Sequence, residues 1–174
     1  VDYKDSMVEA IIGESKKNNV PVGYITDGHS IMIGDGISIE TLHPSQTFKA
    51  SSAEAANDSS LVLMVSYKRF KMLLTGDIQR LGEQSIVASG KDINADILKV
   101  PHHGSKTSSS TELIDGINPT YALVSVGNNN YGHPSDEVVE RYQDMGAKVI
   151  TTKDAGAITI KTDGTGFSVK GYIN

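Results

Sequence analysis

An aspartate and a pair of histidines stand at the ends of two short apolar runs. Leu73-Leu-Thr-Gly-Asp77 delivers a carboxylate, and Leu98-Lys-Val-Pro-His-His-Gly-Ser105 delivers two adjacent imidazoles. Each run has the length and composition of a buried strand, and each stops at a Gly- or Pro-marked turn. Carboxylate oxygens and imidazole nitrogens arriving at neighbouring strand ends are hard and borderline donors, a set that suits a catalytic divalent metal. Taken singly, each piece has another reading, with Asp77 starting a capped helix and His102-His103 forming a hydrogen-bonded loop pair.

The elements that must position these groups alternate along the chain. Asp5 is placed to cap a helix with apolar positions at Met7, Val8, Ile11 and Ile12 and with Lys16 and Lys17 near its end. Tyr24-Ile25 and Ile31-Met-Ile33 read as strands, and Gly34-Asp-Gly36 is a hairpin turn into Ile37-Ser-Ile-Glu-Thr-Leu42. Residues 43–59 are polar and loop-like. Leu61–Val65 and Phe70–Leu74 form a second hairpin across Tyr67-Lys-Arg69. A helix carrying Leu81, Ile86 and Val87 follows Asp77, and Ile97–Val100 is a strand. Ser109 and Glu112 have the spacing of a capping box for a short helix. Tyr121–Ser125 is a strand, Ser135 caps a helix over Asp136–Met145, and Gly146 ends it. Lys148–Ile150, Ala157–Ile160 and Phe167–Val169 close the chain as strands, the last two around Asp163-Gly164. The expectation is one domain over residues 1–174, of α/β (α+β) class, with hairpins first and βα units later.

Composition bounds the function without choosing it. The 174 residues carry 16 Lys plus Arg against 21 Asp plus Glu, a formal net charge of -5. That balance lowers the expectation of tight nucleic-acid binding through a basic surface, though a metal can hold one phosphate locally. There is no cysteine, which removes disulfides and thiolate ligands. No apolar stretch approaches the ~18 residues of a spanning helix.

These segments, in this order, resemble the metallo-β-lactamase superfamily, and within it the soluble C-terminal domain of ComEC-type DNA-uptake proteins. The matching residues are Asn57–Leu63, Leu73–Asp77, Leu98–Ser105, Ser125-Val-Gly127, Tyr131-Gly-His-Pro-Ser135 and Asp154–Ile158, covering roughly residues 57–160. The superfamily's main metal motif, His-x-His-x-Asp-His, is absent. The five histidines are His29, His43, His102, His103 and His133, and none forms that pattern. The resemblance therefore implies a metallo-β-lactamase-like αβ/βα sandwich that is N-terminally incomplete, with this chain as about the C-terminal two-thirds of the domain.

The resemblance also assigns roles. Asp77 matches the carboxylate that bridges two metals. His103 is taken as the ligand of the pair and His102 as a group beside it, because successive residues at a strand end point to opposite sides. Asp58 stands where many members have a metal-binding histidine. It is either an oxygen ligand, which would favour Mn²⁺ over Zn²⁺, or an Asx turn that starts the strand. His133 belongs to a loop over the metals, where it contacts a phosphoryl oxygen or protonates a leaving group, or else orders the Gly-Pro turn. Glu83 is expected to be a structural contact, and His29 and His43 surface or turn residues. The implied activity is metal-dependent hydrolysis with two divalent ions, Zn or Mn, in the full domain and weak binding by this chain. The implied substrate is a phosphodiester, with single-stranded DNA during uptake favoured. Another ester (a phosphocholine ester or a lactone) and a module without catalysis remain as alternatives. Implied partners are the membrane channel domains of a parent protein and a second copy through the incomplete sheet. The implied location is extracytoplasmic, at the cell surface.

Overall fold

The structure, a computed structural model, describes residues 6–48 and 54–173. Helix α1 spans Ser6–Lys17. Strands β1 (Ser30–Ile33), β2 (Ile37–His43), β3 (Val62–Tyr67) and β4 (Phe70–Leu74) follow as antiparallel neighbours. Beyond β4 the connections become crossovers. Helix α2 (Arg80–Ala88) leads to β5 (Ile97–Lys99), α3 (Thr111–Ile117) to β6 (Tyr121–Val124), and α4 (Asp136–Asp144) to β7 (Lys148–Thr151). These strands pair in parallel, which completes a seven-stranded sheet in the order β1-β2-β3-β4-β5-β6-β7. A one-turn helix, α5 (Thr152–Ala155), precedes a separate antiparallel pair, β8 (Ile158–Thr162) and β9 (Phe167–Gly171).

The register explains the layers. Leu73, Leu98, Ala122 and Val149 align across β4 to β7 and share one face. That face carries the main core, where Val62, Leu73, Leu98 and Val124 meet Ile78, Ile86, Leu113, Ile114, Ile117, Val138 and Tyr142 from the helical side. The next residues along each strand point the other way. Phe70, Ile97 and Leu123 form a second cluster with Ile158, Ile160, Phe167 and Val169 of the β8–β9 pair. The molecule is thus a mixed α/β structure with helices on one face of a large sheet and a small sheet on the other, consistent with an αβ/βα sandwich.

Several sequence expectations change. Helix α1 forms, but none of its residues is buried, so its apolar stripe does not join the core. Asp5 lies outside the described residues. Tyr24-Ile25 is not a strand. Pro21 and Gly23 flank it, and the turn at Thr26–His29 leads straight into β1. Of the expected face of α2 only Ile86 is buried. Leu81 and Val87 are exposed, and the inward residues are Gly82, Glu83 and Ile86. Gly82 sits so close to Ile78 and the Asp58 carbonyl that a Cβ there would meet them within 2.8 Å. His43 is buried rather than superficial. Its Nε2–H donates to the Asp58 carbonyl at 2.7 Å, and the ring packs edge-on against Phe48. The residue that caps α3 is Ser110 rather than Ser109, and its side chain makes no capping hydrogen bond.

Candidate functional site

The carboxyl ends of parallel strands are where ligands collect in α/β sheets, because the loops there converge above adjacent strands. Here the loops after β4, β5 and β6 carry Asp77, the His102-His103 pair and Ser125. Asp77 follows Gly76, whose φ of 57° suits glycine, and whose absent Cβ would lie 2.9 Å from Ser60 Cβ. Ser60 Oγ accepts the Asp77 N–H at 3.1 Å and so fixes where the carboxylate leaves the backbone.

The histidines do not sit on a strand. They occupy a tight turn after β5 in which His102 (φ 47°, ψ 43°) and His103 (φ 56°, ψ 22°) are both left-handed, followed by Gly104. A left-handed backbone costs an L-residue roughly 1–2 kcal/mol each, so two in succession are held by their surroundings. The Gly76 carbonyl accepts the His102 N–H, and the Gly104 carbonyl accepts the Ser135 N–H. The turn, rather than strand alternation, separates the two rings, whose centroids are 6.5 Å apart.

His103 faces Asp77, with Nε2 3.6 Å from Oδ1. That is too long for a hydrogen bond. The other ring nitrogen, Nδ1, lies 2.6 Å from the Ser125 carbonyl, which only accepts, so Nδ1 carries a proton and Nε2 is the ring nitrogen turned toward the carboxylate. A carboxylate oxygen and an imidazole nitrogen facing across a gap, with the imidazole oriented by a backbone carbonyl, are ligand types that suit a cation site. A cation is already attracted there. Lys99, the last residue of β5, donates from Nζ to the Gly76 carbonyl at 2.7 Å and stands 3.5 Å from Asp77 Oδ1. Burial lowers the Lys99 pKa, and the Asp77 charge partly offsets this. The available signal for Lys99 was a lone charge inside the apolar run Ile97–Val100.

His102 turns toward His133, the ring centroids 5.8 Å apart. Burial is the largest cause of a lowered His102 pKa. The Asp77 charge opposes it, and the imidazoles of His133 and His103 add to it. His133 arrives because its loop packs on the histidine turn. A Cβ on Gly104 would lie 2.6 Å from Pro134 Cβ. Asp77, His102, His103 and His133 therefore share one end of the sheet.

Asp58 is not among them. Its carboxylate points into the first turn of α2, where Oδ1 accepts the N–H of Gln79 at 3.2 Å and of Gly82 at 2.9 Å. The buried residue is a helix cap contributed from a distance, which takes it out of the ligand set. Glu83 acts similarly. Fully buried on α2, its carboxylate accepts the N–H groups of Ser109 and Ser110 at the start of α3. The expected capping role of Ser109 with Glu112 thus falls to Glu83. Ser109 is gripped further by the buried Tyr142 hydroxyl at 3.0 Å and by the Arg141 guanidinium on its carbonyl. This hub anchors the segment that leaves the histidine turn. Among the described residues, no group of three or more His, Cys, Asp or Glu side chains is arranged to hold an ion. Asp77 and His103 fit as two of the ligands of such a site, and a catalytic ion takes about three.

No family model matches the chain. It is similar to ComE operon protein 3 of Bacillus subtilis (strain 168), 34% identical over 151 residues, which is 86% of this chain and 19% of that protein. It is also similar to Competence protein ComA of Neisseria gonorrhoeae, 36% identical over 126 residues, covering 71% of this chain and 18% of the relative. A third relative, Recombination protein 2 of Haemophilus influenzae, is 35% identical over 107 residues, 61% of this chain and 13% of its own length. The chain thus spans at most about a fifth of each of these relatives. Among solved structures, a protein from Parabacteroides distasonis provisionally named a metal-dependent hydrolase superposes with a TM-score of 0.51 at 14% identity, over 79% of this chain and 60% of the other. That likeness concerns the fold.

Proposed function

We propose that this chain is a metal-dependent hydrolase domain of a DNA-uptake protein, and that it cleaves phosphodiester bonds, single-stranded DNA being the favoured substrate. One observation carries the reading. At the carboxyl ends of β4 and β5 an Asp77 oxygen and the Nε2 of His103 face each other at 3.6 Å, with Nδ1 of the same ring held by the Ser125 carbonyl. The names of the competence relatives supply the setting, and the hydrolase-like fold supports the reaction class.

A divalent ion held by Asp77 and His103, with ligands from beyond the described residues, would acidify a bound water and neutralise phosphoryl charge. The chain's own groups do the rest. Lys99 holds the carboxylate and the Gly76 carbonyl in place and adds a positive charge beside Asp77. The Ser125 carbonyl keeps the His103 proton on Nδ1. His102, its pKa lowered chiefly by burial, stands beside His133 on the substrate side. His133, on the loop above, reaches a phosphoryl or leaving-group oxygen and protonates it. In this proposal the domain faces the outside of the cell beside the channel segments of a longer parent. Among the described residues no helix is long and apolar enough to cross a membrane.

The test is hydrolysis of single-stranded DNA and of bis(p-nitrophenyl) phosphate by the chain within its longer parent, with Mn²⁺ or Zn²⁺ added, residues 1–174 alone being expected to be inactive. Asp77→Ala and His103→Ala are expected to abolish metal-dependent cleavage, and calorimetry should show only weak ion binding by residues 1–174 alone. Cleavage that survives Asp77→Ala would refute the assignment. A module without catalysis is the second reading. It would be indicated by an absence of cleavage with either metal when the chain is assayed within its longer parent.

A further inference from the structure

The loop over the site carries a side chain that the proposed reaction does not use. Tyr131 is 84% exposed, yet the loop that carries it is firmly tied. Asn129 makes four hydrogen bonds within the loop. Its Nδ2 donates to the carbonyls of Gly127 at 3.0 Å and His133 at 2.7 Å, and its Oδ1 accepts the N–H groups of Tyr131 at 3.0 Å and His133 at 3.1 Å. The Tyr131 ring lies nearly parallel to that of His133, with a centroid distance of 6.1 Å and an angle of 24°. His133 in turn meets His102 at 5.8 Å. A hollow lined by Val126, Gly127, Tyr131 and His133 opens beside His103. A large ring held out in water by a built turn gains little in the free chain. Its geometry suits a flat apolar ligand.

We propose that Tyr131 is a stacking platform for one base of a single-stranded nucleic acid whose phosphate lies at Asp77 and His103. The phosphate position is taken from the phosphodiesterase reading above, and the inference adds how the strand is recognised. A quaternary ammonium is held by a cage of aromatic faces, whereas the hollow offers one tyrosine face backed by an imidazole. A duplex conceals the faces of its bases, so the ligand is unpaired. Both ends of the Asn129 amide are committed to the loop, so this amide shapes the turn and the exposed ring face is what meets the base, a mode of contact that tolerates any base. With a net charge of -5, the chain cannot draw much affinity from phosphate contacts alone, and stacking has to supply a large share.

The experiment measures fluorescence anisotropy of a labelled oligothymidylate and of an abasic strand of equal length. The buffer is of low ionic strength, with calcium in place of a transition metal. Tyr131→Ala is expected to weaken oligothymidylate binding about tenfold, the loss typical of one stacked base, while Tyr131→Phe and Tyr131→Trp retain it. The wild-type chain and Tyr131→Ala should bind the abasic strand alike, and matched far-UV circular dichroism would show that the variants are folded. A strand carrying 5-iodouracil should photocrosslink at Tyr131. Equal oligothymidylate affinities, a loss that is just as large on the abasic strand, no binding of either strand, or Tyr131-dependent capture of phosphocholine instead would each overturn the proposal. Tyr131-dependent binding without cleavage in the longer parent would sink the phosphodiesterase reading and leave the platform standing.

Discussion

At the scale of single residues, the site depends on which protons and charges are already placed. Asp77 meets a lysine on one side and the Nε2 of an imidazole on the other, so replacing it removes the anion that both face. His43 provides a separate, measurable proton balance. Burial holds its pKa below 6.5, against smaller opposing effects from Asp58 and Asp27. As pH falls, the unfolded chain takes up this proton before the folded chain does. The contribution to stability is therefore complete above 6.5 and is lost progressively below it. Burial lowers the His102 pKa as well, so it acts in the same direction. Thermal unfolding between about pH 7 and about pH 5.5 should show a falling midpoint, and His43→Gln should flatten that fall. A profile unchanged by His43→Gln would mean that His43 takes up its proton equally in the folded and unfolded chain. Asp77 and His103 were legible in the sequence because each ends an apolar run at a Gly or Pro. Asp58 was not, because its partners Gln79 and Gly82 are distant along the chain and only the folded packing brings α2 to it.

At the scale of elements, the histidine turn is held at both ends. Before it stands β5, and after it the Glu83 clamp ties α2 to the start of α3. Glu83→Ala would strand the N–H of the buried Ser109 and that of the half-buried Ser110, and a cost of about 2 kcal/mol is expected. Glu83→Gln, which keeps one acceptor, should cost less. Urea unfolding with a constant slope would measure both, and near-native stability of Glu83→Ala would show that water replaces the carboxylate. The sequence marked Glu83 only as a structural contact, since a lone glutamate on a helix gives no sign of the N–H groups it will meet. The strands of the sheet were largely legible, because period-two patterns and Gly turns fix them locally. The inward face of α2 was not, because Gly82 and Glu83 are buried by close approach and hydrogen bonding rather than by apolar side chains.

At the scale of the whole molecule, the two ends of the large sheet differ. The β4–β7 end is covered on both faces, whereas all four residues of β1 are exposed, with Ile31, Met32 and Ile33 turned to solvent at the sheet edge. An exposed apolar edge strand is a template for pairing. Concentration-dependent self-association is therefore expected in sedimentation, and Ile31→Lys with Ile33→Lys should reduce it without loss of the core, since neither residue is buried. A strictly monomeric wild-type chain at high concentration would contradict this. Hydropathy alone could not foresee it, because the β1 pattern looks the same whether or not another layer covers it.

The parallel register also acts as a ruler. Leu74, Lys99 and Leu123 align across β4, β5 and β6, and Asp77, His103 and Ser125 hang a few residues beyond them. Adjacent strands are spaced by about 4.8 Å, a distance the backbone ladder fixes and side chains cannot tune. The span of the centre is therefore graduated in steps of one strand. Loop substitutions can change what lines the opening, but a ligand of appreciably different width would need a donor from another strand end. Selection on such a scaffold would alter what the centre recognises more readily than how wide it is.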